Sequence, residues 1–375
     1  MIKKIKPQKK VFVGLSGGVD SAVSAALLKK QGYKVTGVFI KAWTPEGHPC
    51  TWREDRRSAM RVAAVLDIPF ITLDLEKEYK RDVVDYMIRE YRAGRTPNPD
   101  VMCNKEIKFG AFLKYALANG ADFVATGHYA RTSPLTPLLG KERGRPSLRG
   151  RGEVLKEGAD KSKDQSYFLW TLTPDQLKHI LFPVGHLQKS EVRKLATKFG
   201  LPQATRKDSQ GLCFLGQIDM KEFLKEFAGD AKKGNLLNEK GEVVGEHDGA
   251  ILYTLGERHG FRIHNQKTDN KPMYVVAKDV KKNTINISPQ ITPQKGLIQV
   301  IQGSSLCLLC LKKINLIGKI PKNGEVGGRF RYRQEKIKCK ISGNKVIFDT
   351  PQLIAPGQSL VLYDGDVCLG GGVIK

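Results

Sequence analysis

Short apolar runs alternate with longer amphipathic stretches through the first two hundred residues. The runs Val11–Val13, Lys34–Ile40, Phe70–Leu75 and Phe123–Thr126 read as strands, and Ser21–Gln31, Arg53–Leu66, Lys77–Arg92 and Lys105–Ala118 read as helices. Gly32 stands where a C-cap glycine belongs, and Gly120 follows another helix end. This alternation predicts an α/β domain, a parallel sheet with helices on both faces and a nucleotide at the carboxyl ends of its strands. Residues 133–152, rich in Pro, Gly and Arg, break the pattern and read as a flexible insertion. Ser190 is expected to cap a helix ending near Phe199, and a short helix is expected over Met220–Phe227. From Gly234 the texture turns to short strands: Val275–Ala277, Thr284–Ile287, Leu297–Ile301, Gly328–Tyr332, Lys336–Ile341 and Leu360–Tyr363. The resulting division is a catalytic domain over 1–210, a small central domain over 211–290 and a C-terminal β-barrel over 295–375.

Composition narrows the class. A chain of 375 residues with 40% hydrophobic content and a mean hydropathy of −0.34 has the make-up of a water-soluble protein with more than one core. No apolar stretch is long enough to span a membrane, since Lys312 and Lys313 break the run near Leu306–Leu311. The basic N-terminus has no apolar segment behind it, so a cytoplasmic protein without a membrane partner is expected. The net charge is +25, and residues 251–350 carry nineteen basic side chains against six acidic ones. An excess so concentrated favours a polyanionic partner, nucleic acid before others. Seven cysteines at irregular spacing argue against a disulfide framework, and the lone Cys307-x-x-Cys310 reads as strand packing.

The most specific string is Gly14-Leu15-Ser16-Gly17-Gly18-Val19-Asp20-Ser21, set between a predicted strand and a predicted helix. Such a turn aims backbone N–H groups and the helix dipole at one point, which suits a polyphosphate. Ser16 and Ser21 add hydroxyls, and Asp20 is placed to hold a magnesium ion that bridges phosphates. No Gly-Lys-Ser/Thr ending follows, so this is not the Walker A loop. The string resembles the PP-loop of ATP pyrophosphatases, which implies splitting of ATP between its α and β phosphates and activation of a substrate as an adenylate.

Two cysteines stand out. Asn98-Pro99-Asp100 precedes Cys103, and a helix starting near Asn104 would put Cys103 at its N-terminus, where a thiolate is stabilised. Asp100 could orient a base or relay a proton. Cys213 lies in a loop without clear periodicity, a better setting for function than a core. The two thiols could meet over an adenylate, one carrying sulfur as a persulfide and the other resolving it as a disulfide. An iron–sulfur cluster on Asp100, Cys103 and Cys213 is the weaker alternative.

Taken in order, the Gly14–Ser21 loop, Asn98-Pro99-Asp100 with Cys103–Phe109, Ala125–Tyr129, Lys163–Tyr167 and Asp208-Ser209 with Cys213-Phe214 resemble the tRNA-specific 2-thiouridylase family over essentially the whole chain. The resemblance implies ATP on Gly14–Ser21, Ile40 and Gly127. It implies contact with the target base through Asn98, Pro99 and Asp100, and with tRNA through Lys163, Asp164, Gln165, Arg331 and Tyr332. It makes Cys103 the nucleophile and Cys213 the persulfide carrier, loaded by a sulfur-donor protein, with the wobble uridine as target. Glu257 stands where the family pattern has glutamine, and the insertion is unusually long; neither touches a catalytic position.

In Arg329-Phe330-Arg331-Tyr332-Arg333 and Lys336–Ile341, strand alternation would set six basic side chains on one face and apolar ones on the other, a phosphate-binding stripe over a barrel core. Two other functions compete. An amidating PP-loop synthetase would need a glutaminase domain or an ammonia channel, for which the assigned residues leave no room. A tRNA-binding protein with a degenerate ATP site is at odds with an intact loop and two placed cysteines.

Overall fold

A computed structural model describes residues 8–47, 52–133, 154–206, 211, 213–216, 218–229, 232–264, 272–290, 299–300, 307–350 and 352–375. The expected architecture is what the chain adopts: a parallel α/β domain, a small central sheet and a closed barrel.

Strands β1 (Lys10–Gly14), β2 (Lys34–Lys41), β3 (Phe70–Asp74), β4 (Phe123–Ala125), β5 (Ala130–Ser133), β6 (Val154–Glu157) and β7 (Ile180–Leu181) run through the first domain. Five of them form a parallel sheet in the order β3-β2-β1-β4-β7. The order reverses at β1, and a crevice opens there between the carboxyl ends of β1 and β4. Val11 and Val13 face one core and Phe12 the other, which is why this strand is apolar on both faces. Helix α1 (Val19–Lys30) is buried along most of its length by Ala22, Val23, Ala25, Ala26 and Leu28. Helix α2 (Trp52–Val65) buries only Ala59, Val62 and Ala63.

Two helices differ from the periodicity. Glu76–Tyr79, Lys80–Val84 and Asp85–Arg92 run on from one another, as do Pro99–Met102, Cys103–Ala111 and Phe112–Ala118, and the middle piece of each is wound as a wide π turn. The second begins earlier than expected because Asn98 caps it. The Val101 N–H donates to Asn98 Oδ1 at 3.2 Å, and Pro99 takes the first helical position, where no N–H is needed. Cys103 therefore sits a turn inside the helix and not at its N-terminus. A Cβ on Gly110 would stand 2.8 Å from the carbonyl of Lys105, five residues back, so the wide turn requires glycine there. The helix expected to start at Ser190 runs over Lys189–Lys198, and its cap is Gln188, which forms a capping box with Glu191.

The central sheet holds β8 (Gly234–Leu237), β9 (Val243–His247), β10 (Phe261–Ile263), β11 (Tyr274–Asp279) and β12 (Thr284–Ser288) in the order β10-β9-β8-β12-β11. Arg92 ties it to the first domain by donating to the carbonyls of Ala228 and Phe227, at the end of helix Met220–Phe227.

In the last part, β13 (Gln299–Val300) leads to β14 (Cys307–Leu316), β15 (Glu325–Arg329), β16 (Ile337–Ser342), β17 (Lys345–Phe348), β18 (Ser359–Asp364) and β19 (Val367–Ile374). The order β14-β17-β16-β15-β18-β19 closes through pairing of β14 with β19 into a six-stranded barrel. Leu309, Val326, Phe330, Ile341, Phe348 and Leu360 fill its core. β6 pairs with β19 and β5 with β6, so a hairpin of the first domain extends the barrel sheet. Ser133 stands opposite Val154 in that hairpin, and the insertion between them, 134–153, lies outside the described residues. The expected strand over Gly328–Tyr332 ends at Arg329. The chain then turns, with Arg333 at φ +62°, and the regular alternation of basic side chains stops there.

Candidate active site at the switch point of the parallel sheet

A cavity of about 610 Å³ opens at the crevice between β1 and β4. Its floor is the loop after β1. Gly14, Leu15, Ser16, Gly18, Val19, Asp20 and Ser21 line it, with Ile40 at the end of β2 and Gly127 after β4. Gly17 adopts φ +77° and turns its carbonyl away to Arg206, which donates to it at 2.9 Å and pairs with Asp55 at 2.6 Å. A Cβ on Gly127 would lie 2.6 Å from Ser21 N and 2.8 Å from the Asp20 carbonyl carbon, so only glycine lets β4 approach the helix start this closely. The Asp20 carboxylate accepts from Lys189 Nζ at 2.7 and 2.8 Å and from Tyr129 OH at 2.8 Å.

The opposite wall carries two cysteines. Cys103 Sγ lies 3.2 Å from Cys213 Sγ. The Cys213 segment is fixed by two bonds: its N–H donates to Asp100 Oδ1 at 3.0 Å, and Tyr79 OH donates to its carbonyl at 2.6 Å. Cys213 faces the cavity, whereas Cys103 is fully buried behind it. The thiols are electrostatically unlike. Burial pushes the Cys103 thiol well up. The Cys213 thiol is held low, to about 7, first by the hydrogen bond from Cys103 and then by the Lys108 ammonium. The easily ionised thiol is thus Cys213, and the thiolate stabilisation expected of a helix N-terminus at Cys103 is absent because the helix starts at Pro99. Burial raises the Asp100 carboxyl.

Two thiols 3.2 Å apart can close to a disulfide, whereas an iron–sulfur cluster is usually held by four ligands. Among the described residues no group of three or more His, Cys, Asp or Glu is arranged to hold a metal.

The positions expected to meet RNA divide. Lys163, Gln165 and Tyr332 line the cavity, and Tyr332 packs on Phe168 with ring centroids 4.6 Å apart. Arg331 is exposed beside them. Asn98 and Pro99 build the helix cap below Asp100. Asp164 is buried and turned inward, accepting from Gly158 N, Ser166 N, Ser166 Oγ and Arg329. Arg329, expected on an exposed stripe, is 15% exposed and also pairs with Glu157 at 3.0 Å. Lys336, half-buried, joins the same Glu157 at 3.1 Å, so of the six basic residues Arg331, Arg333, Lys338 and Lys340 are the exposed ones. Periodicity did not single out Lys108, Lys189, Arg206 or Phe168; the first lies in the Cys103–Phe109 string and the last directly after Lys163–Tyr167, where only the fold reveals a role.

The chain matches the family described as the tRNA methyl transferase HUP domain over residues 9–217, its PRC-barrel domain over 221–289, and an aminomethyltransferase β-barrel domain over 307–374. The tRNA-specific 2-thiouridylase MnmA of Streptococcus thermophilus is 46% identical over 97% of this chain and 95% of that protein. The chain belongs to the tRNA-specific 2-thiouridylase family. Proteins of the same name from Streptococcus mutans and Listeria welshimeri are 46% and 43% identical over the same 97% of the chain. A solved U34-tRNA thiolase from Methanococcus maripaludis with its [4Fe-4S] cluster covers 59% of this chain and 67% of that one at 17% identity and a TM-score of 0.36, too distant to bear on the site. Among the described residues no helix is long and apolar enough to cross a membrane.

Proposed function

We propose that the chain is an ATP-dependent tRNA-uridine 2-sulfurtransferase acting on the wobble uridine. The observation that carries this reading is that one cavity is lined both by the phosphate-binding loop and by Cys213, with Cys103 in contact behind it. The names of its relatives support tRNA uridine as substrate.

ATP sits with its phosphates on Gly14–Ser21 and its adenosine against Ile40 and Gly127. The 2-oxygen of the uridine attacks the α-phosphorus and pyrophosphate leaves. Asp20 is the loop carboxylate that would hold a magnesium ion, which when bound draws charge from the departing pyrophosphate. Until then Lys189 pairs with Asp20, and it lines the same cavity as the loop.

Cys213 thiolate attacks the outer sulfur of a donor protein's persulfide, and the donor leaves as a thiolate. Cys103 then attacks the inner sulfur of the Cys213 persulfide, with Asp100 relaying its proton. The terminal sulfur departs with the electron pair, adds to the activated carbon and displaces AMP. The two cysteines are left as a disulfide for an external thiol to reduce. Asn98, Pro99 and Asp100 face the target base, and Lys163, Gln165, Arg331 and Tyr332 the tRNA. The Phe168–Tyr332 pair offers an unstacked uridine a surface to replace its neighbours in the loop.

Mass spectrometry of nucleosides from tRNA incubated with the protein, ATP, magnesium and a persulfide source is expected to show 2-thiouridine that depends on ATP. Thiolation at another position, or none, would overturn this reading.

A further inference from the structure

Lys108 is a charged side chain facing both thiols. It stands on the wide turn, five residues after Cys103, lines the cavity together with Cys213 and lies over the ring of the next residue, Phe214, at 5.8 Å. On its other side Nζ is 3.5 Å from His128 Nε2, and His128 Nδ1 is 2.6 Å from Thr126 Oγ1. Burial keeps that imidazole neutral, so we assign the proton to Nδ1, leaving Nε2 to accept from Lys108. Among the described residues no carboxylate lies in ion-pair range of Lys108, and Asp100 acts on it only at longer range. Lys108 is half-buried in the cavity wall, and an ammonium held there without a carboxylate is best compensated by another anion beside it. The adjacent candidate is sulfur.

We propose that Lys108 is the positioning residue that makes Cys213, not Cys103, the sulfur-bearing anion: its ammonium, oriented by His128, is the counter-ion of the Cys213 thiolate and then of the persulfide built on it. This rests on the reading of Cys213 as sulfur carrier. Among the described residues, the titratable groups around Cys213 are Asp100 and Cys103 on the same helix as Lys108, Tyr79 on the preceding helix and His128 after β4. Asp100 opposes an anion there and His128 is uncharged, so the anion depends on Lys108 and on the Cys103 thiol that donates to it.

Alkylation by iodoacetamide, followed on the Cys103 and Cys213 peptides by mass spectrometry across pH, tests this on the full chain without ATP or tRNA. In the unaltered protein Cys213 is expected to react at a lower pH than Cys103; the reverse order overturns the proposal. Lys108→Met is expected to move the Cys213 profile toward the ~8.5 of a free cysteine. At pH 6.5 its rate should fall between two- and about fivefold; the upper figure is a roughly twentyfold loss of thiolate partly offset by a more nucleophilic sulfur, and the hydrogen bond that Cys103 still donates reduces it. Lys108→Arg, which keeps the charge, should restore most of the rate. A Lys108→Met profile within twofold of the unaltered one also overturns the proposal. If Lys108→Met does not fold, Lys108→Gln takes its place with the same expected fall and the same twofold limit. Since no sulfur transfer is measured, a chain that thiolates no tRNA can pass this test and one that does can fail it.

Discussion

Two charge clusters in this molecule differ in what they can do. In one, Glu157 is 2% exposed and receives Lys161 at 2.6 Å, Arg329 at 3.0 Å and Lys336 at 3.1 Å, while Asp164 holds Arg329 from the other side. Each cation has a carboxylate, and the cluster joins the β5–β6 hairpin to β15 and the start of β16. In the other, Lys108 faces two thiols and a neutral histidine, with no carboxylate of the described residues in range. Charges that compensate one another hold domains together. A cation left facing sulfur is available for chemistry, because its natural counter-ion is a reactive anion.

The largest expected effect is at the sulfur end. Cys213→Ser and Cys103→Ser should each abolish 2-thiouridine formation, read by nucleoside mass spectrometry, with tRNA binding nearly intact. Substantial thiolation by either variant would break the division of labour between the two cysteines. At the phosphate end, Asp20→Ala should slow release of AMP and pyrophosphate on the order of a hundredfold or more, since phosphate positioning and charge stabilisation fail together. Unchanged AMP release would remove Asp20 from the reaction.

The compensated cluster should answer in stability. Arg329→Met leaves Glu157 and Asp164 short of a partner and should cost about 3–5 kcal/mol, read as a lower melting temperature. The effect should also depend on pH. Burial alone would raise the Glu157 carboxyl, but Lys161 and Lys336 outweigh it and hold it low. Its contribution is therefore complete above the unfolded value near ~4.3 and is lost as the pH falls through the lower folded value. A melting temperature unchanged in Arg329→Met would show the cluster to be idle. The smallest effect belongs to exposed charge. Lys338→Ala with Lys340→Ala should leave stability unchanged and lower the log–log salt slope of tRNA binding by about one for each phosphate no longer neutralised.

The same contrast explains what the sequence could reveal. The phosphate-binding loop was legible because strand, glycines and helix start are contiguous, so local chemistry fixes their geometry. The parallel sheet and the barrel were legible from apolar periodicity. The alternation from Ile337 to Ile341 held for the same reason, with Cys339 and Ile341 inward and Lys338 and Lys340 outward. Arg329 and Asp164 misled because their partners are far away in the chain: Arg329 meets Asp164 across 165 positions. Glu157 lies on β6, a four-residue strand too short to show a period, whose pairing with β19 only the fold supplies. The helix expected near Asn104 starts instead at Pro99, which puts Cys103 a turn inside it and leaves Cys213 as the easily ionised thiol. Lys108 lies in a string whose order was recognisable, yet its role appears only when the Cys213 loop closes over it.

The most direct test of the central claim, that activation and sulfur transfer share one cavity and consume the Cys103–Cys213 pair, is a single turnover without reductant. Protein loaded with persulfide on Cys213 is mixed with ATP, magnesium and tRNA, and 2-thiouridine, AMP and the Cys103–Cys213 disulfide are quantified together. The account predicts that all three rise in parallel, one of each per turnover. Formation of 2-thiouridine with both cysteines still reduced would contradict it.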